Sequence, residues 1–188
     1  MPSPEEINEL PIRRYAGEVV LVETEADMAL AAADFAGERV VGFDTETRPS
    51  FRPGESHPPA LAQVATARAV YLFPLLRLVS PAALTALLGS GTAKAGVGLA
   101  DDVRALKRTF EFAPAAIVDL GVIARRHGFE KSSVRALAAA FLGFRIPKGT
   151  KTSNWAVRRL SEQQVAYAAT DAWACRELYL KFEELRLI

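Results

Sequence analysis

The sequence predicts an α/β fold in which helices cover both faces of a mixed central sheet. Apolar runs typical of strands dominate residues 18–73, and strand-like and helix-like segments then alternate toward the C-terminus. This order is typical of three-layer domains built on one sheet. The chain has 188 residues, a usual length for one domain. We therefore expect an N-terminal lead-in of residues 1–17 and a single domain of residues 18–188.

The composition indicates a globular protein of a reducing compartment. Half of the residues are hydrophobic and 24% are charged, which excludes a disordered chain. The net charge is +1, so the overall charge does not indicate a nucleic-acid partner. Cys175 is the single cysteine, and the N-terminal residues lack the pattern of a signal peptide. No apolar run approaches the ~20 residues that span a bilayer. We expect a cytoplasmic protein without a membrane partner, and the oligomeric state stays open.

The first half of the chain is predicted to contain four strands and one helix. Three prolines discourage regular structure in residues 1–14. Thr24 is a suitable N-cap for a helix that ends near Gly37. Four prolines and a glycine indicate an exposed loop over residues 48–59. The predicted strands span residues 18–22, 40–47, 61–65 and 70–73, and the last three are expected to form an antiparallel meander.

The second half is predicted to be mainly helical. Pro81 suits the first turn of a helix that stops near Gly89. Ser161 and Gln164 form a capping-box pattern at the start of a helix that runs nearly to the C-terminus. Residues 143–160 are expected to be irregular. The other predicted elements are a strand over residues 93–97, a short strand or helix start at 117–120, and helices over 101–110, 120–127 and 133–141.

Asp44 and Glu46 lie at the end of the apolar run Val40–Phe43. Residues two apart in a strand share a face, so both carboxylates can point the same way. Two such acids repel each other, and a divalent cation between them would resolve the repulsion. The alternative is that Asp44 caps a turn and Glu46 is solvated at a strand end.

Two further acids and a tyrosine lie in helices. Asp102 falls in the first turn of a predicted helix, where the helix dipole alone also favours an acid. Asp171 lies mid-helix among small and apolar residues, where a carboxylate is costly without a partner. Tyr167 precedes it by four residues and shares its helical face. For this pair alone, a simple side-chain hydrogen bond is the alternative to a functional role.

Taken together, four carboxylates and a phenol suit a site for two divalent cations. Such a pair activates water and stabilises both oxygens in phosphodiester cleavage. The sequence offers no cluster of thiolates or histidines for zinc. Ligation by oxygen alone favours Mg²⁺ or Mn²⁺.

Three segments of the chain resemble the exonuclease motifs of the DEDD 3′–5′ exonucleases. They are Asp44-Thr45-Glu46, the run from Lys94 to Asp102, and Tyr167-Ala-Ala-Thr-Asp171. The tyrosine in the third motif resembles the DEDDy branch, with ribonuclease D and the Werner syndrome exonuclease domain. The stretch from Ser153-Asn-Trp155 to Asp171 is especially similar to those two. The resemblance covers about residues 18–185.

The resemblance implies a ribonuclease H-like fold and the removal of nucleoside 5′-monophosphates from a 3′ end. Asp44, Glu46 and Asp171 would hold the cation that activates water. Asp44, together with Asp102 acting mostly through water, would hold the second cation. Tyr167 would orient the attacking water.

The remaining expected contacts concern the substrate. By position, Thr45 and Thr47 are expected to flank the terminal nucleotide, and Gln63 to reach it from the neighbouring strand. Trp155 is either a substrate contact or a core residue. The chain has Arg158-Arg159-Leu160 where the family usually has Arg-Pro-Leu, which changes a loop but no ligand.

Local charge favours a nucleic-acid partner with a single-stranded 3′ end. Residues 122–160 contain nine lysines or arginines and one acid, in a block that leads into the helix of Asp171. Lys148, Lys151 and Arg158 are the expected backbone contacts, and a solvated face is the alternative. The sequence does not decide between RNA and DNA. A catalytically silent binding module on the same fold, or an adaptor domain, remains the rival to an exonuclease.

Overall fold

Six strands form one mixed sheet in the part of the chain that the structure describes. The structure is a computed structural model that describes residues 4–52, 54–147 and 153–188. The strand order is β1-β4-β3-β2-β5-β6, with β2 antiparallel to β3 and parallel to β5. The strands are β1 (Glu18–Leu21), β2 (Val40–Thr47), β3 (Pro59–Ala65), β4 (Ala69–Pro74), β5 (Ala93–Gly96) and β6 (Ile117–Asp119).

Helices cover both faces of this sheet. α2, α3 and α4 pack on one face in a core that includes Phe43 of β2. α5, α6 and α7 pack on the other face, where Val40 lies among the apolar side chains of α7. The predicted three-layer α/β fold is confirmed. The helices are α1 (Pro4–Glu9), α2 (Glu25–Phe35), α3 (Ala82–Gly89), α4 (Leu99–Thr109), α5 (Leu120–Arg126), α6 (Val134–Leu137) and α7 (Glu162–Glu184), with a 3₁₀ turn at Leu75–Arg77 and a π-helical segment at Ala138–Leu142.

Strand alternation divides the side chains of β2 between the two layers. Val41 and Phe43 point into the core formed with α2, α3 and α4. Val40, Gly42 and Asp44 therefore face α7. The predicted antiparallel meander β2-β3-β4 is present, and β5 continues the sheet on the other side of β2.

Two capping boxes define where α2 and α7 begin, one at the predicted N-cap Thr24 and one at the predicted box of Ser161 and Gln164. The Thr24 hydroxyl accepts the Asp27 amide, and the Asp27 carboxylate accepts the Thr24 amide in return. Ser161 and Gln164 make the same reciprocal pair at the start of α7. α7 then runs for 23 residues without a break. No described helix is both long enough and apolar enough to cross a membrane.

The lead-in is ordered where the structure describes it, so the prediction of an irregular segment was wrong for residues 4–9. Pro4 occupies the first helical position, where a missing N–H costs little, and the helix ends before Pro11. The following residues are attached to the domain. Arg145 donates its main-chain amide to the Pro11 carbonyl at 2.8 Å, and the Tyr15 amide donates to the Thr170 hydroxyl of α7 at 3.0 Å.

Candidate active site

Three carboxylates from β2 and α7 meet at one end of the sheet. Asp44 and Glu46 share the α7 face of β2, and Asp171 projects from the middle of α7. Ligand oxygens of the three lie within 4.8 Å of one another. Asp171 is buried, with 6% of its surface exposed, as its helical surroundings predict. The structure thus brings together three of the four acids that the sequence singled out.

Gly42 allows α7 to lie close enough for this meeting. A Cβ at position 42 would collide with the Ala172 carbonyl oxygen and lie 2.8 Å from the Arg176 amide nitrogen. Real Cβ atoms do not approach a backbone this closely, so only glycine fits without movement of the helix. The role of Gly42 was not predicted from the sequence, although a glycine inside a strand is a known sign of close backbone approach.

Asp102 reaches the site from the opposite layer. It lies in the first turn of α4, which begins after Gly98 in a left-handed conformation with φ of 75°. Thr45, on the other side of β2 from Asp44, donates its hydroxyl to the Asp102 carboxylate. Asp102 is therefore attached to the same strand as Asp44 and Glu46, but by a threonine on the far face.

Two of the acids, Asp44 and Asp102, have raised pKa values. Burial raises the pKa of Asp44 well above its usual value, and the charges of Asp171, Glu46 and Asp102 raise it further. The Thr45 amide, which donates to Asp44 at 2.9 Å, acts in the opposite direction. Burial also raises the pKa of Asp102, against the hydrogen bond from Thr45. Crowded carboxylates with raised pKa values fit the oxygen-rich site that a hard divalent cation requires.

Tyr167 lies one turn before Asp171 on the same face of α7. Burial raises the pKa of the Tyr167 phenol, and the charge of Asp171 and a hydrogen bond with it raise the pKa further. The phenol therefore keeps its proton at neutral pH. The Trp155 ring lies beside it, with 6.0 Å between ring centroids. The hydrogen bond considered for the Tyr167–Asp171 pair is present, and it places the phenol at the edge of the acid cluster.

The other predicted site residues lie in different environments, some exposed near the acids and some buried. Thr47 is exposed at the end of β2, next to the acids, while the Thr45 hydroxyl is occupied by Asp102. Gln63 lies opposite Asp44 on β3, on the face covered by α7, and none of its surface is exposed. The expected contact of Gln63 with a nucleotide is therefore not supported, because burial under α7 keeps the amide from a substrate. Trp155 is 2% exposed and packs in the core. A core residue was the alternative to a substrate contact at this position.

The basic segment does not form one continuous face among its described members. Arg125 donates to Ser132, whereas Arg135 and Arg145 donate to the main-chain carbonyls of Ile146 and Leu10. Arg158 is exposed in the loop before α7. Lys148 and Lys151 lie outside the described residues.

Comparisons with known proteins agree with this geometry. Residues 19–186 match the family model described as 3′-5′ exonuclease. The chain is 32% identical over 188 residues to the bifunctional 3′-5′ exonuclease/ATP-dependent helicase WRN of Mus musculus, and the match covers 94% of this chain. That match covers 13% of the mouse protein, so the chain corresponds to a small part of this relative.

Two solved structures show the same fold at low sequence identity. The Nibbler EXO domain of Aedes aegypti has a TM-score of 0.79 at 23% identity, covering 92% of this chain and 91% of that one. Trypanosoma brucei RNase D in complex with RNA U12 has a TM-score of 0.74 at 20% identity, covering 94% and 64%. The acid cluster, its ribonuclease H-like frame and the match over residues 19–186 lead to one conclusion: the chain belongs to the 3′-5′ exonuclease family.

Proposed function

We propose that this chain hydrolyses single-stranded nucleic acid from the 3′ end and releases nucleoside 5′-monophosphates with the help of two divalent cations, Mg²⁺ or Mn²⁺. The observation that carries the proposal is the meeting of Asp44, Glu46 and Asp171 within 4.8 Å. Like charges gathered at a partly buried site repel one another, and such clusters are typical of functional sites that bind cations. Relatives in the same family are 3′-5′ exonucleases, and one structural neighbour binds RNA.

The carboxylate oxygens of the site indicate which residues would hold the cations. Asp44, Glu46 and Asp171 offer oxygens for one cation, and Asp44 with Asp102 offers oxygens for the other. Bound there, divalent cations would lower the pKa of water and neutralise the negative charge that develops on phosphate oxygens. The Thr45 hydroxyl fixes the orientation of Asp102. Orienting the attacking water would be the task of a side chain of the protein.

Tyr167 is the group suited to orient the attacking water. Its phenol stays protonated at neutral pH, so it can both donate and accept a hydrogen bond. The hydrogen bond with Asp171 fixes its position beside the acids. A water held by this phenol would face a scissile phosphate bound at the acid cluster.

The proposal is tested by product analysis on matched RNA and DNA oligomers labelled at the 5′ end. We expect a ladder that shortens one nucleotide at a time and that requires a divalent cation. Asp44→Ala and Asp171→Ala should each lower turnover by at least roughly 10²-fold, as expected for the loss of a transition-state electrostatic contact. Asp101→Ala is the matched control, because Asp101 is an exposed acid of the same helical turn as Asp102 and should leave turnover unchanged.

Degradation that persists in excess chelator would contradict the role of the cations. Cleavage of a closed circular strand would show an endonuclease instead. Binding of oligomers without any hydrolysis under all cation conditions would favour the silent binding module.

Tyr167→Phe tests the proposed role of the phenol. This variant keeps the ring beside Trp155 but removes the hydroxyl, so folding should survive while turnover falls by about 10²-fold. Cation affinity, measured by titration, should change little because the four acids remain. Turnover equal to that of the wild type would reduce Tyr167 to a packing residue.

A further inference from the structure

We propose that a groove lined by Leu21, Glu23, Arg77, Arg158 and Arg159, here called the basic groove, binds phosphates of the substrate strand upstream of the scissile bond. The proposal rests on the proposed function, since it extends the path of the same substrate. It assigns Arg158 and Arg159 the direct phosphate contacts and Arg77 the support of the loop that carries them.

The basic groove opens at the same end of the sheet as the acids. Glu46 of β2 pairs with Leu61 of β3, and Leu61 pairs with Pro74 of β4. β1, whose last residue Leu21 lines the groove, is the next strand beyond β4. Neighbouring strands lie about 4.8 Å apart, so three strand spacings place the groove about 14 Å from Glu46. A strand that enters the acid cluster by its 3′ end can reach the groove with its next nucleotides.

A smaller, mainly apolar cavity lies next to the basic groove. It has a volume of about 160 Å³ and is lined by Leu61, Trp155 and Leu76, among others. Trp155 links it to the acid cluster, because its ring lies beside Tyr167. Arg77 and Arg158 line both this cavity and the basic groove, whose volume is about 650 Å³. The two spaces are therefore adjacent.

The charges in the groove are arranged to favour an anion. Arg77 donates to the Glu23 carboxylate at 2.9 Å and to the Val157 carbonyl at 3.0 Å, which neutralises Glu23 and holds the loop of Arg158. Within residues 4–52, 54–147 and 153–188, Arg158 and Arg159 form no ion pair. Two arginines are therefore left with charges that no described side chain balances. Their guanidinium groups match the geometry of a phosphate.

The combination of apolar and basic lining suits a single strand. Proteins that bind single strands without reading sequence place bases against apolar or aromatic surface and phosphates against basic groups. Here the apolar cavity, with the 56% exposed Leu76 at its wall, would accommodate a base. Arg158 and Arg159 would then contact the phosphates on either side. Because no base edge is read, binding should be similar for all sequences.

The experiment compares a long single-stranded oligomer with a dinucleotide, which is too short to reach the groove. Affinity for the oligomer is measured in excess chelator, over a range of salt concentrations, for the wild type and an Arg158→Ala, Arg159→Ala double variant. We expect the affinity to fall about 5- to 20-fold, the sum of two exposed charge contacts. The salt slope of binding should fall by about 1.4, which is about 0.7 for each lost phosphate contact on a single strand. Hydrolysis of the dinucleotide should stay at the wild-type rate.

Two further variants sharpen the test. Glu23→Gln removes the acid that neutralises Arg77, so it should raise the affinity for the oligomer, by about 2- to 5-fold. Arg126→Ala is the matched control, because Arg126 is an exposed arginine in the last turn of α5, the helix that follows β6, and β6 is the edge strand farthest from β1. It should leave affinity and salt slope unchanged.

An unchanged salt slope in the double variant would overturn the proposal, as would an equal loss of affinity in Arg126→Ala. Loss of dinucleotide hydrolysis in the double variant would place the arginines in catalysis and also contradict it. A wild type that binds the oligomer through Arg158 and Arg159 but hydrolyses nothing would leave the groove intact and refute the proposed function. The two proposals therefore fail separately.

Discussion

The acid cluster of β2 and α7 and Lys94 of β5 both place charged groups inside the protein, but their surroundings differ. Lys94 faces main-chain carbonyls, whereas Asp44 faces other acids. Lys94 has no exposed surface, and its ammonium donates to the carbonyls of Leu87 and Ser90 at 3.0 and 2.8 Å. These carbonyls lie at the C-terminal end of α3, where the helix dipole favours a cation. Burial lowers the pKa of Lys94 to about 8.

The acids are in the opposite situation. Burial raises the pKa of Asp44, and the negative charges of Asp171, Glu46 and Asp102 raise it further. A buried charge whose hydrogen-bond partners are main-chain carbonyls of the fold, as at Lys94, serves structure. Like charges gathered around a buried carboxylate, whose pKa they raise, point to a cationic ligand from outside, which is why the cluster marks the candidate active site.

The largest effect is expected from the backbone contact that holds the acids together. Gly42→Ala places a Cβ against the Ala172 carbonyl and should cost about 1–3 kcal/mol of unfolding free energy, as overpacking does. The same displacement of α7 from β2 should lower turnover by about 10²-fold, because a misplacement of about 1 Å has that consequence at a reacting centre. Chemical denaturation and turnover measure the two effects.

Gly91→Ala is the matched control for this variant. A Cβ at position 91 meets nothing within 4 Å, so neither stability nor turnover should change. If Gly42→Ala behaves like Gly91→Ala, the close approach of α7 to β2 does not determine the geometry of the acids.

The next effect is a gain of stability when one acid is neutralised. In the metal-free protein, Asp171→Asn should raise the unfolding free energy at pH 7 by about 0.5–2 kcal/mol, because it removes one of the like charges around Asp44. Turnover should fall in the same variant. Divalent cation should stabilise the wild type more than the variant, since it binds the folded state through these oxygens.

The pH dependence follows from the raised pKa of Asp44. The folded state binds the proton more tightly than the unfolded state, whose pKa stays near 3.8. The stability contributed by the protonated form is complete below that value and is lost as pH rises through the folded pKa. Thermal melts in chelator should therefore show a decline in stability above about pH 4 that is shallower in Asp171→Asn. Equal slopes in the two proteins would contradict the coupling of these acids.

The smallest effect is expected at Lys94, where removing the charge should lower the unfolding free energy at pH 7, whereas Asp171→Asn should raise it. Lys94→Met should lower the unfolding free energy at pH 7 by about 1 kcal/mol, because two carbonyls lose their donor while the cost of a buried charge disappears. Between about pH 8 and 10.5 the unfolded wild type binds more protons than the folded one, so the wild type should gain stability relative to the variant as pH rises. Turnover per folded molecule should be unchanged. A loss of turnover comparable to that of Asp171→Asn would remove the distinction between structural and functional charge.

The sequence by itself determined the features that depend on neighbouring residues. Alternation along β2 placed Asp44 and Glu46 on one face, and the helical period placed Tyr167 and Asp171 together. The capping box at Ser161 fixed the start of α7. Such patterns can be recognised locally because a strand or helix imposes its geometry on residues a few positions apart. The order of elements then sufficed for the three-layer fold.

The tertiary structure alone decided the features that join distant parts of the chain. The Thr45 hydroxyl meets Asp102 from 57 positions away, and Arg77 holds the Val157 carbonyl from 80 positions away. The burial of Gln63 under α7, the close fit at Gly42 and the attachment of the lead-in through Tyr15 belong to the same class. Each depends on how two elements pack. The residues next to a position in the sequence do not predict which residue contacts it across the core.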